Sequence, residues 1–316
     1  MEILSMSLLV VGSVAYDSVE TPFGKKERIL GGSASFFSSA ASYFTPVQLV
    51  AVVGRDFEQA HLDYLRARGV DLSGLTTDNS GDSFFWRGKY DYDLNNCQTL
   101  ETRLNVFESF KPQIPEQFKN AEFVFLANID PVLQSEVLNQ IKKPKFVAMD
   151  TMNFWIHNKR DELINTIKRV NLLFVNDAEA RLLAQEYNLV KAAQKLMAFG
   201  PQYVVIKQGE YGALLLSSNA VFRASAYPLE VVFDPTGAGD SFAGGMMGYI
   251  SHYGTDFETL KKAVISGSVL ASFAVEDFSV DRFRTLKREE IYLRFQAFHQ
   301  LTYFNETLSL PRDPTL

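Results

Sequence analysis

The chain has 316 residues, with 31 Lys and Arg against 37 Asp and Glu and a formal net charge of −6. That length makes one large or two modest domains, and such a chain buries a sizeable core without disulfide or metal staples. Hydrophobic residues at 47% and charged residues at 22% exclude a disordered chain, and the acidic balance leaves no basic field for nucleic acid. From the start, Met1 to Val11 carries Glu2 where an export signal wants Lys or Arg, and its apolar run reads as a buried strand, Leu8–Val11. Residues 17–30 are extended and polar. Helical spacing follows over 33–43, a strand over 47–53 and a helix over 57–68. Residues 83–106, rich in Tyr, Asp, Asn and Thr, alternate as strands do. Strands are predicted over 123–127, 146–149, 172–175, 203–207 and 213–216, with helices over 131–140, 161–169, 178–186 and 190–199 between them. A hairpin pairs 213–217 with 221–224. A strand over 231–233 and two long helices, 240–253 and 259–276, complete the pattern, and the tail 305–316, with Pro311 and Pro314, is expected to be loosely held.

Strands alternating with helices in this rhythm predict βαβ units: an α/β fold whose mostly parallel sheet is covered on both faces. The two polar stretches, 17–30 and 83–106, are too short to be domains and together predict a small β-sheet standing off the main one. No apolar run reaches the ~18–20 residues of a membrane span, so a cytoplasmic protein is expected, with no membrane or nucleic-acid partner. Cys97 is the single cysteine, and His61, His157, His252 and His299 lie far apart, which argues against a zinc site or a histidine-centred triad. The sequon Asn305-Glu306-Thr307 carries no meaning without an export signal.

The most informative segment runs from Val231 through Asp234-Pro-Thr236-Gly237-Ala238-Gly239-Asp240 to Gly244-Gly245. An apolar run enters a Gly-rich turn that opens a long helix. The free N–H groups and dipole of a helix start favour an anion, and glycine lets a phosphate approach the backbone. A carboxylate there repels phosphate unless it takes a proton from a nucleophile beside it, the role open to Asp240. No Gly-Lys-Ser/Thr is present, which excludes a Walker A loop, and Phe242 stands where a dinucleotide fingerprint needs its third glycine.

Asp234 to Asp240 resembles the signature of the PfkB family of carbohydrate kinases, which have the ribokinase-like fold. The resemblance extends to Gly12-Ser13 with Asp17, to Gly31-Gly32 before a small-residue helix, and to Gly54-Arg55-Asp56 with Gly69-Val70-Asp71. It also covers Asn176-Asp-Ala-Glu179 and Lys207-Gln-Gly209-Glu-Tyr-Gly212. It implies one ribokinase-like three-layer α/β/α domain over 1–316, with a lid formed by 17–30 and 83–106. It further implies ATP-dependent phosphorylation of a sugar hydroxyl, with Asp240 as base and Gly237, Ala238 and Gly239 supplying N–H groups to the phosphoryl. Substrate contacts fall on Asp17, Gly31, Gly32, Phe36, Asn128 and Asn153. Nucleotide contacts fall on Asn176, Lys207, Gly209, Gly212, Thr236 and Ser268. Glu179 is expected to act on Mg²⁺ through water, and Asp234 on the loop or on a monovalent cation.

Two positions depart from the family pattern. Phe36 stands where an asparagine often meets the sugar, which favours a substrate with an apolar or planar part such as a nucleoside. Ser268 replaces an asparagine often found beside adenine. An adenosine-type nucleoside kinase is therefore the alternative to a sugar kinase. A sugar-phosphate kinase would draw on Lys25, Lys26, Arg28, Arg87 and Lys89, and a binding regulator without turnover is the reading of a different class. Alternation from Asp82 to Leu94 puts Phe84, Trp86, Tyr90 and Tyr92 on one face of the small sheet, an apolar face that predicts a two-fold homodimer through the lid.

Overall fold

The computed structural model describes residues 7–302; the first six residues, the tail and the sequon lie outside the described residues. β1 (Leu8–Val11) is wholly buried because its side chains alternate into two separate cores. β2 (Ala15–Thr21) and β3 (Gly24–Gly31) form an antiparallel hairpin, after which α1 (Ser33–Ala41), β4 (Val47–Gly54), α2 (Gln59–Ala67) and β5 (Val70–Asp78) return to the main sheet. β6 (Phe85–Tyr90) and β7 (Cys97–Arg103) form a second hairpin. Then come β8 (Phe123–Leu126), α3 (Pro131–Gln140), β9 (Phe146–Met149), α4 (Asn153–Asn158), α5 (Arg160–Ile167), β10 (Leu172–Asn176), α6 (Asp177–Ala184), α7 (Leu189–Met197) and β11 (Tyr203–Lys207). β12 (Ala213–Leu216), β13 (Val221–Ala224), α8 (Ala238–Tyr253), α9 (Phe257–Ala274), α10 (Asp281–Thr285) and α11 (Arg288–Thr302) follow.

Nine strands make the main sheet in the order β13-β12-β11-β10-β9-β8-β1-β4-β5, parallel from β11 to β5, with β12 antiparallel to both its neighbours. Leu8, Val10, Phe125 and Phe174 point to a layer that includes α1, α8 and α9, whereas Leu9, Val11, Val124 and Leu173 point to one that includes α5, α6 and α7. The three named helices of the first layer meet backbone to backbone: a Cβ on Gly244 of α8 would lie 2.3 Å from the Phe37 carbonyl oxygen of α1, and one on Gly267 of α9 2.7 Å from the Phe242 carbonyl oxygen of α8. Strand order reverses at β1, and the crevice beyond the carboxyl ends of β1 and β8 is where an open α/β sheet binds its ligand. This is a ribokinase-like α/β fold.

The small sheet has the order β3-β2-β6-β7 and is built from the two polar stretches, with β2 and β6 parallel. Residues 231–233 form no strand; Phe233 N–H bonds the Val275 carbonyl at 2.8 Å instead, because the chain here crosses to the end of α9. β5 goes unrecognised in the sequence because an edge strand exposes alternate polar residues such as Asp71 and Ser73. The aromatic face expected to pair two subunits is largely covered by its own chain. Phe84 stacks on Phe107 at 5.3 Å, Tyr90 meets Thr236, and Trp86 lies over Gly88 with its indole N–H on Thr99. Tyr92 alone of the four is fully open, at 88% exposed, so less of this face is left for a second subunit than the alternation implies.

Candidate active site

Five segments bring polar groups to the crevice. The Gly-rich loop comes first. Gly237 has φ +75°, which suits glycine, and a Cβ there would lie 2.3 Å from the Phe36 ring. Phe36 is therefore the buried floor of this loop, 2% exposed, and not a wall of the crevice; the planar-substrate argument built on it fails. Ala238 N–H bonds the Pro235 carbonyl at 3.2 Å and Ser241 N–H that of Gly237 at 2.8 Å. The N–H groups of Gly237, Gly239 and Asp240 have no hydrogen-bond partner among the described residues, whereas that of Ala238 is spent on Pro235. Asp234 accepts from the N–H groups of Thr236 (2.9 Å) and Ser279 (3.3 Å), and thus holds the loop.

Asp17 follows β1 by way of Ser13, whose hydroxyl and carbonyl cap α1 at Ser33 and Ala34. Its carboxylate lies flat over Gly31, where a Cβ would come within 2.0 Å of Cγ, and Gly32 has φ +90°. Burial first, then the charges of Asp234 and Asp240, push the Asp17 carboxyl up to about 8 against the pull of the Gly32 N–H. Asp240 is pushed up to about 7, by burial first and then by Asp150, with Lys207 opposing. A carboxyl near neutrality is a suitable general base, since it both accepts a proton readily and is half ionised at working pH.

Lys207, at the end of β11, pairs with Asp150, at the end of β9, at 2.7 Å; both are largely buried. The Lys207 ammonium rests against Gly239, 3.1 Å from where a Cβ would stand. Between those strands β10 ends in Asn176, which forms a capping box with Glu179: Asn176 Oδ1 accepts the Glu179 N–H at 2.8 Å, and Glu179 Oε2 the Asn176 N–H at 2.7 Å. One Glu179 oxygen remains free, and burial with Asp150 nearby pushes this carboxyl up to about 7. Among the described residues no three His, Cys, Asp or Glu side chains could hold a metal directly. The free Glu179 oxygen and the buried, unpartnered Thr151 hydroxyl fit a Mg²⁺ carried by phosphate and reached through water.

The signature loop, the carboxylate at its helix start and the Asn-x-x-Glu box share one crevice, and a family model for "pfkB family carbohydrate kinase" matches residues 8–284. The chain belongs to the pfkB family of carbohydrate kinases. It is an ATP-dependent kinase. A cytidine kinase of Thermococcus kodakarensis is 31% identical over 247 residues, 77% of this chain and 87% of that protein. A nucleoside kinase of Methanothermobacter thermautotrophicus is 28% identical over 287 residues, 85% of this chain and 89% of its own. The solved nucleoside kinase of Burkholderia thailandensis in complex with inosine superposes with a TM-score of 0.75 at 21% identity, covering 93% of this chain and 99% of that one.

The other expected pfkB-site residues are dispersed around the crevice. Asn128 accepts the Trp155 indole N–H at 3.0 Å, and Asn153 opens α4 exposed. Gly209 (φ +55°) and Gly212 (φ +91°) shape the turn after Lys207, and a Cβ on Gly212 would strike the Ala224 carbonyl at 2.1 Å. The Thr236 hydroxyl is engaged by Tyr90 OH at 3.2 Å, and Ser268 is buried on α9. Of the cations that a substrate phosphate would need, Lys25 pairs with Glu27, Lys89 with Glu20, Arg28 with Asp56 and Arg87 with Glu101, leaving Lys26.

Three residues were given no role of their own by the sequence. Asp150 opens the Asp150-Thr-Met-Asn153 loop, which resembles the family's Asp-x-Asn loop, but a ligand contact was expected of Asn153 alone. Gln134 is buried and donates to the carbonyls of Leu126, Ala127 and Asp150, tying the ends of β8 and β9 together. Asp56 accepts from Ser83 N–H and Oγ at 2.7 and 2.8 Å and from Arg28, while its carbonyl receives Tyr16 OH, fastening the small sheet to the body. Only the Gly54-Arg55-Asp56 motif signalled it.

Proposed function

We propose that the protein phosphorylates the hydroxymethyl group of a nucleoside, with ATP as donor and Asp240 as general base. The observation that carries the nucleoside reading is the cytidine kinase identity across 77% of the chain. Three features agree with it. Four of the five lid cations pair with acids, which disfavours a sugar phosphate. Met152 and Phe154, 39% and 53% exposed, with Trp155 beside them, offer apolar surface for a base just beyond Asp150. Asp17 is a buried acceptor for ribose hydroxyls.

In this reading, Asp17 and the Gly31-Gly32 backbone orient the sugar so that its primary hydroxyl faces Asp240. Asp240 takes the hydroxyl proton as the oxygen attacks the terminal phosphorus, and the bond to ADP breaks with its electron pair leaving on ADP. The N–H groups of Gly237, Gly239 and Asp240 receive the charge on the phosphoryl oxygens. Mg²⁺, when bound with the nucleotide, neutralises phosphate charge, and Glu179 would hold its waters. The small sheet acts as a lid of a single domain: Tyr90 reaches the loop at Thr236, and closure excludes water as a competing acceptor. An intact Asp240 disfavours a regulator without turnover. ADP release measured across nucleosides, free sugars and sugar phosphates tests the proposal. Nucleosides should lead the panel, and a sugar or sugar phosphate leading it would refute the reading.

A further inference from the structure

The crevice must receive a triphosphate, yet it gathers Asp17, Asp150, Glu179, Asp234 and Asp240. Lys207 is the cation that acts on both Asp240 and Glu179. Its position is specific. β9, β10 and β11 are neighbours, so the Lys207–Asp150 pair spans the end of β10 directly above Asn176, whose Cα pairs with that of Lys207. On its other side the ammonium rests on Gly239, in the middle of the three unpartnered N–H groups. A Cβ on Gly239 would stand 3.1 Å from Nζ, so the glycine leaves room for the ammonium to sit close against the loop.

We propose that Lys207 is a catalytic residue that contacts the transferring phosphoryl group, and that Asp150 is its positioning residue. This rests on the reading of the Asp240 loop as the transfer site. An ammonium between the Asn176–Glu179 box and the Gly239 N–H lies where the terminal phosphate must pass, and it adds a full charge to donors that carry only partial ones. Lys207 stays protonated throughout. It exchanges no proton with Asp240, and it stabilises the phosphoryl oxygens as the oxygen–phosphorus bond to ADP breaks and the bond to the alcohol forms. Asp150, anchored by Thr151 N–H at 2.9 Å, holds the ammonium at this height when no phosphate is present.

The test compares Lys207→Met with Lys207→Arg in steady-state turnover and in calorimetric binding of Mg·ADP and Mg·β,γ-imido-ATP. Loss of a preformed charge donor lowers kcat of the Met variant by ~10²–10³, while Arg restores part of it. Affinity for the imido analogue falls at least about tenfold and that for ADP changes little, because the contact is to the terminal phosphoryl. Asp150→Asn lowers kcat more than it changes KM for ATP, and Asp150→Glu recovers part of the loss. Since Lys207→Met leaves a buried carboxylate unpaired and can unfold, the double variant Lys207→Met with Asp150→Asn removes the pair as a whole. It should melt near wild type and remain as slow as Lys207→Met. A wild-type kcat in either Lys207 variant lacking charge, or equal losses of ADP and imido-ATP affinity, overturns the proposal. Asp240→Asn separates the two readings. Full turnover there removes the transfer site itself, whereas turnover lost there but kept in Lys207→Met removes only the role of Lys207.

Discussion

Asp17→Asn should make the protein more stable and less active. Folding raises the Asp17 carboxyl from 3.8 to about 8, so the folded state takes up a proton that the unfolded chain has released. The sign follows from that uptake: stability is lost as pH rises from about 4 to about 8 and is level beyond. At pH 7 the unfavourable gap is 7 − 3.8 = 3.2 pH units, an upper bound of about 4 kcal/mol at ~1.4 kcal/mol per unit. Local relaxation and water penetration reduce this to roughly 1–2 kcal/mol. Asparagine keeps the shape and an acceptor for the Gly32 N–H but cannot ionise. For a chain of this size the melting temperature should rise by roughly 2–6 °C near pH 8, with a much smaller rise near pH 5. The sugar hydroxyls lose their carboxyl partner, which is largely neutral near pH 7 and therefore a hydrogen bond of ~0.5–1.5 kcal/mol, so KM for the nucleoside should rise ~2–10-fold. Thermal melts at both pH values and initial-rate kinetics make the comparison. A variant that melts lower than wild type near pH 8 would show that the carboxylate is a paired structural charge, and the argument for a strained, substrate-awaiting acid would fail.

Two further outcomes follow from the site. Glu179→Gln should preserve the capping box, since glutamine also accepts the Asn176 N–H, and so leave the melting temperature nearly unchanged while raising the Mg²⁺ concentration for half-maximal rate; Glu179→Ala should in addition cost ~1 kcal/mol of stability. Because Asp240 acts in its ionised form and is raised to about 7, kcat/KM should climb as pH rises through about 7, and Asp240→Asn should lose ~10²–10⁴ in rate with the fold intact; a flat profile in this range would contradict the assignment.

Much of this architecture is legible in the sequence because its signals are local. Buried parallel strands such as Leu172–Asn176 read as unbroken apolar runs, and the loop Asp234 to Asp240 carries the residue types expected of an anion site. The small sheet was legible as two polar stretches, one extended and one alternating, although its strands begin and end a few residues from the expected limits. What was not legible depends on contacts between distant segments. Periodicity places Phe84 and Tyr90 on one strand face but cannot show that Phe107 and Thr236 of the same chain cover them. Position after Gly31-Gly32 suggests a substrate role for Phe36, yet the close approach of Gly237 makes it a floor. Asp150 and Lys207 lie 57 residues apart, and only the sheet order makes them a pair.

The central claim is that this crevice transfers phosphate from ATP to a nucleoside hydroxymethyl group. The most direct measurement is kcat/KM for cytidine, inosine, adenosine, ribose, fructose and a fructose phosphate at saturating Mg·ATP, with the phosphorylated position of the product read by phosphorus–proton NMR. At least one nucleoside should exceed every sugar and sugar phosphate, and its product should carry phosphate on the primary hydroxyl. Higher kcat/KM for ribose or a hexose, or phosphate found on a ring hydroxyl, would contradict it.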